Sequence, residues 1–81
     1  MKIGGLYTYQ DEEGYKGVWT NHGGYNLRLE CFVDNGEPFL LLEKKSSPFI
    51  NTGPSLKILT KQGVIGWLRH IDLSRLEEKT P

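Results

Sequence analysis

Cys31 is the only cysteine in 81 residues, so no internal disulfide and no cysteine metal cluster can form. No apolar run approaches the roughly eighteen residues needed to span a bilayer. The opening Met1-Lys2-Ile3-Gly4-Gly5 lacks the apolar core of a secretory leader, so a reducing, cytoplasmic setting is expected. Helical periodicity over about eleven residues or more is missing throughout, which argues against helices. Neither sign of charge is in excess, because ten Lys and Arg offset ten Asp and Glu. A nucleic-acid binder that relies on phosphate contacts normally carries a basic excess or stripe. The longest basic run here is Lys44-Lys45, beside Glu43. A chain this short buries only about 60% of its unfolded surface, which leaves no material for a second lobe or a deep cleft. The expectation is one domain over residues 1–81, with an ordered core from about 3 to 77 and a frayed tail over 78–81. A binding or structural module is expected rather than an enzyme.

What the chain does have is punctuation. Ten glycines and four prolines divide short β-type segments, the pattern of an all-β domain. Strands are expected over 3–9, 15–19, 27–33, 56–61 and 64–69, with a last short one over 74–77. Residues 10–25 read as one long irregular hairpin with an acidic turn, Gln10-Asp11-Glu12-Glu13-Gly14. Leu27, Leu29, Cys31 and Val33 alternate with Arg28, Glu30 and Phe32, and Asn35-Gly36 follows, a strong hairpin signal. A two-residue turn there pairs Phe32 with Phe39, Cys31 with Leu40, Leu29 with Leu42 and Arg28 with Glu43. These are compatible cross-strand neighbours, and they put Leu29, Cys31, Leu40 and Leu42 on the core face. Ser46 to Pro54 reads as a loop held by Pro48, Gly53 and Pro54. A two-residue turn at Gln62-Gly63 pairs Ile58 with Trp67 and Leu59 with Gly66. Leu59, Val64 and Leu68 then face the interior, and Trp67 faces away beside Ile58. Gly66 leaves room for a close strand crossing, and residues 70–73 suit a single 3₁₀ turn.

Two segments resemble the SH3-like small β-barrel. Gly5-Leu6-Tyr7-Thr8-Tyr9 is similar to the Ala-Leu-Tyr-Asp-Tyr opening of eukaryotic SH3 domains, and an acidic hairpin follows in the place of the RT loop. Gly63-x-x-Gly66-Trp67-Leu68, then Asp72-Leu73 and Leu76-Glu77, resembles the Gly-x-x-Gly-Trp-Val ending of bacterial and phage SH3-type domains. The likeness spans residues 3–77. It implies a five- to six-stranded barrel with a single 3₁₀ turn before the last strand; an OB-type barrel is the rival architecture. The Met-Lys-Ile-Gly start and Gly-Trp-Leu-x-x-x-Asp-Leu-x-x-Leu ending are similar to short proteins of tailed phages and bacteria, which implies, for a viral origin, a phage accessory or virion component in the host cytoplasm or virion. The resemblance departs where a proline-peptide groove needs Trp, Pro and Tyr, since Leu56, Arg69 and Asp72 stand there. Pro-x-x-Pro binding is not expected.

The candidate chemistry is thin. Asp11, Glu12 and Glu13 are adjacent rather than spaced as in a calcium loop, and they read as a solvated turn. His22 and His70 are the only histidines and do not make up a zinc ligand set; His70 could switch charge near neutral pH, with a surface or capping role favoured. No nucleophile, base and orienting group occur together. Catalytic residues, metal and cofactor are therefore expected to be absent. Aromatics are the surplus, at nine of 81 residues, more than a core this small can bury. Tyr7, Tyr9, Tyr15, Trp19 and Trp67, with Tyr25 nearby, are the candidate protein-binding surface, because Tyr and Trp are enriched at interface hot spots. A secondary mini-core under the long hairpin is the structural alternative. Phe32 and Phe39 are candidates for a second surface or a homo-oligomer seam. The alternative function is a nucleic-acid-binding barrel using Lys44, Lys45, Lys57, Lys61, Arg69 and Arg75.

Overall fold

The computed structural model describes residues 1–24, 26–47 and 52–79. Tyr25, Pro48 and the 80–81 end of the expected tail lie outside the described residues. Seven strands form one curled, half-barrel antiparallel sheet: β1 (Leu6–Tyr9), β2 (Tyr15–Trp19), β3 (Leu29–Asp34), β4 (Phe39–Lys45), β5 (Ser55–Thr60), β6 (Ile65–Leu68) and β7 (Leu76–Glu78). Their order across the sheet is β3-β2-β6-β5-β4-β1-β7. A single 3₁₀ turn, Leu73–Arg75, precedes β7. The all-β reading and a turn before the last strand stand, with the turn at Leu73–Arg75 rather than over 70–73 and the strand at Leu76–Glu78 rather than over 74–77. Among the described residues the strand count is seven rather than five or six.

β2 pairs with β3 and neither pairs with β1, so the hairpin expected over residues 10–25 is replaced by one that runs on through β3. This overturns the expected β3–β4 hairpin. Asn35-Gly36 does turn the chain, with the Glu37 amide donating to the Asp34 carbonyl at 3.0 Å and Gly36 at φ 80°. The chain then leaves β3, and β4 pairs with β1 and β5. Two features of the sequence oppose the expected ladder. Its register would set Pro38, which has no N–H, opposite Val33, and would set Asp34 against Glu37, two like charges. Instead, Asn35 latches the acidic turn. Its Oδ1 accepts from the Asp11 amide and its Nδ2 donates to the Asp11 carbonyl, both at 2.9 Å.

The core face of β4 is correspondingly inverted. Phe39 and Leu41 are buried, while Leu40 and Leu42 are half-buried. They join Tyr7, Tyr9, Val18, Val33, Leu56, Ile58, Leu68 and Ile71 in one apolar cluster, with Cys31 packed at its margin. Burying one such side chain stabilises by about 1.5–3 kcal/mol.

The β5–β6 hairpin is slipped by one residue from expectation. Ile58 faces Gly66 and Lys57 faces Trp67. The turn is a three-residue loop, with the Thr60 amide bonded to the Val64 carbonyl at 2.8 Å and Gly63 at φ 90°, an arrangement that glycine accepts without strain. Thr60 completes it by accepting the Val64 amide on Oγ1 at 3.1 Å. Leu68 is interior as expected, but Ile58 and Leu56 take the core places expected of Leu59 and Val64. Gly66 makes the expected close crossing, and the crossing strand is β2. A Cβ at residue 66 would stand 2.6 Å from Val18 Cγ1 and 2.8 Å from the Trp19 carbonyl oxygen. At the end of the chain, β7 includes Glu78, and the Lys79 amide bonds Leu6 at 2.8 Å.

Candidate protein-binding face

Alternation along β2 puts Lys16 and Val18 toward the core and Tyr15, Gly17 and Trp19 on the outer face. Across the ladder Phe32 stands opposite Gly17, and Leu29 opposite Trp19. Leu29 reaches that face through a bulge: Val18 pairs with Cys31 and Trp19 with Leu29, so Glu30 is left between them. The bulge moves Leu29 out of the core face where strict alternation puts it.

Tyr15 and Phe32 meet edge to face with ring centroids 5.0 Å apart. Gly17 leaves the space between the rims. A Cβ there would come within 2.9 Å of Leu29 Cδ1 and 3.2 Å of Trp19 Nε1. The result is a shallow groove of about 320 Å³ whose apolar lining is Tyr15, Trp19, Leu29 and Phe32, with Arg69 at one side. Tyr15 is 43% exposed, Leu29 42% and Phe32 50%, so three large apolar side chains face solvent together. Trp19 pairs with Trp67 of β6. Trp67 is only 8% exposed, and the His22 ring lies against it with centroids 4.8 Å apart. The Arg69 guanidinium sits 5.9 Å over the Trp19 ring, and its Nε donates to the His22 carbonyl at 3.3 Å. Trp67 lies on the outer face of the sheet, as expected, but is buried there rather than exposed as a contact residue.

Tyr7 and Tyr9 are not part of it. They are 3% and 4% exposed and belong to the core. The Tyr7 hydroxyl accepts from the Lys2 amide at 2.6 Å, and the Tyr9 hydroxyl from the Asp72 amide at 2.8 Å. Each ring fills the interior while its polar tip ties down a chain segment. Burial pushes the Tyr9 phenol pKa up from its ordinary value. Phe39 is fully buried on β4, which is not a neighbour of β3, so a Phe32–Phe39 seam does not exist. Tyr25 lies outside the described residues.

The other candidates separate as well. Arg75 is paired with Glu12 at 2.9 Å and Asp72 at 3.6 Å. Lys44 and Lys45 end β4, Lys57 lies in β5 beside Glu43, and Lys61 is in the β5–β6 turn. Arg69 is engaged with the aromatic face. Lys45 and Arg69 come to one depression, while the other cations are divided among β4, β5, the β5–β6 turn and the 3₁₀ turn. Burial, and then the nearby Glu37 and Glu30 carboxylates, push the Cys31 thiol pKa up from its ordinary value.

Leu29, Gly17 and Arg69 are the members of the face that sequence reasoning missed. The Tyr15-x-Gly17-x-Trp19 alternation was a usable signal for Gly17. Nothing in the sequence marks the bulge that brings Leu29 out. Comparison with family models, with curated proteins and with solved structures gives no match to this chain.

Proposed function

We propose that this chain is a non-catalytic SH3-like module that binds a protein partner through the outer face of β2 and β3. The observation that carries this reading is the joined exposure of Tyr15, Leu29 and Phe32 around the Gly17 gap, backed by Trp19 and Trp67. Rigid aromatic side chains give large contact area at small entropy cost. The SH3-like part rests on topology: β4, β5 and β6 form a meander, β1 and β7 add beside β4, and the 3₁₀ turn precedes β7. On this reading the β2–β3 hairpin, which follows β1 and precedes β4 in sequence, is the counterpart of an SH3 RT loop. A phage accessory or virion role is the setting that the terminal motifs suggest.

A different partner is favoured over a second copy. Both free sheet edges carry paired acids, Glu30 and Asp34 on β3 and Glu77 and Glu78 on β7. Such charges oppose edge-to-edge pairing between identical chains. The test is the double variant Tyr15→Ala/Phe32→Ala. Both residues are exposed, so the variant keeps the wild-type circular dichroism spectrum and loses the partner recovered by cross-linking in the native host. Recovery of the same partner by the folded variant overturns the proposal. Substitution at Tyr9 tests folding instead, since that ring is core.

A further inference from the structure

Beyond Arg69 lies a second depression, of about 400 Å³. Four separate segments meet there. The 21–24 turn brings His22, the end of β4 brings Lys45 and Ser46, β5 begins with Ser55, and Arg69 and His70 follow β6. Both histidines of the chain therefore line one cavity, together with an arginine and a lysine. No carboxylate is among its described lining residues, although the chain has as many acids as bases. Arginine and lysine only donate hydrogen bonds, and serine and histidine can donate. A donor set of this kind without an acidic counter-ion suits a ligand that only accepts.

The walls are held in place. Arg69 Nε is fixed on the His22 carbonyl at 3.3 Å, which couples the turn to β6. His70 has φ 49°, in the left-handed region uncommon for a residue other than glycine. Its neighbours impose this. The His70 amide meets Ser55 Oγ at 3.4 Å, the Ile71 amide bonds the Pro54 carbonyl at 2.9 Å, and the Asp72 amide bonds Tyr9. Ile71 is thereby buried while His70 stays at the cavity. Strained backbone of this kind persists where the surroundings over-determine it and clusters at ligand sites.

We infer that this cavity binds the phosphate group of a phosphate monoester, held by Arg69, Lys45, His22 and His70 with Ser46 or Ser55. A tetrahedral oxyanion offers acceptors in several directions and matches donors arriving from four segments, whereas a planar carboxylate is satisfied by one arginine fork. The volume is within the range of small-ligand pockets, so the site has room for part of the ester as well. This inference does not depend on the aromatic face having a protein partner.

The experiment is an NMR titration of the full chain with inorganic phosphate, glycerol 3-phosphate and a phosphoserine peptide, with sodium chloride at matched ionic strength. Saturable shifts at Lys45, Arg69 and His70 with the phosphate esters, and not with chloride, are expected. His70→Gly removes the imidazole while glycine takes a φ of 49° without strain. Lys45→Gln changes an exposed position. Each variant keeps the fold and weakens the esters about tenfold, the effect of losing one charge-assisted hydrogen bond. Tighter binding of glycerol 3-phosphate identifies a small-molecule ester, and tighter binding of the peptide a phosphorylated protein; either supports the site. Unchanged affinity in both folded variants, shifts equal to those with chloride, or binding of inorganic phosphate without either ester overturns it.

Discussion

Gly53 shows how much one residue can decide. A Cβ there would stand 1.7 Å from the Ile71 carbonyl oxygen and 2.8 Å from its carbon, both backbone atoms that cannot turn aside. Gly53→Ala should therefore lower unfolding stability by about 3 kcal/mol, at the severe end of overpacking, as read by urea denaturation. Tyr9 gives a pH prediction. Its phenol is raised from an ordinary value near 10.0 by burial, so the native state holds the proton more tightly than the unfolded chain does. That contribution is fully present below about pH 10. It is lost as pH rises from there through the native pKa, because the unfolded chain ionises first. Tyr9→Phe should remove this alkaline loss while costing about 1–2 kcal/mol at neutral pH for the orphaned Asp72 amide. Denaturant melts between pH 8 and 11 check both effects. Gly66 was legible as a close crossing because a glycine inside a strand marks a bend or a place where another backbone comes near. Tyr9 was not legible as core, since an exposed tyrosine and one with a buried ring and bonded tip look alike in sequence.

Among the elements, the β2–β3 hairpin depends on a side-chain latch. Asn35→Ala removes both of its bonds to Asp11. The expected outcome is a loss of about 1 kcal/mol and faster hydrogen exchange at the Asp11 amide, with exchange in β5 and β6 little changed. Strand positions over 15–19 were legible from alternation and flanking turns, but partners were not. Pairing Phe32 with Phe39 and Leu29 with Leu42 is chemically sound. Complementary pairs alone do not choose a register when a second strand offers others equally good. Pro38 was the residue that could have corrected it. The one-residue slip at Gln62-Gly63 has a simpler origin: a loop of two or three residues can use the same glycine, and the difference moves Ile58 from beside Trp67 to opposite Gly66.

At the scale of the molecule, the acidic residues on each free sheet edge predict a monomer in solution. Sedimentation velocity should give a single species of 9.2 kDa across micromolar concentrations; a concentration-dependent dimer would move the contact face from a foreign partner to a second copy. The aromatic surplus was visible in the composition, and its division was not. Burial separates Tyr7, Tyr9 and Phe39, which hold the core, from Tyr15 and Phe32, which face solvent. The most direct test is a site-specific photo-cross-linker placed in turn at residues 15, 32, 65 and 78, all exposed, in chain expressed in its native host. Cross-links to one partner protein from 15 and 32, and none from 65 or 78, are predicted. Equal cross-linking from all four positions, or cross-links from 65 or 78 alone, would contradict the outer face of β2 and β3 as the binding surface.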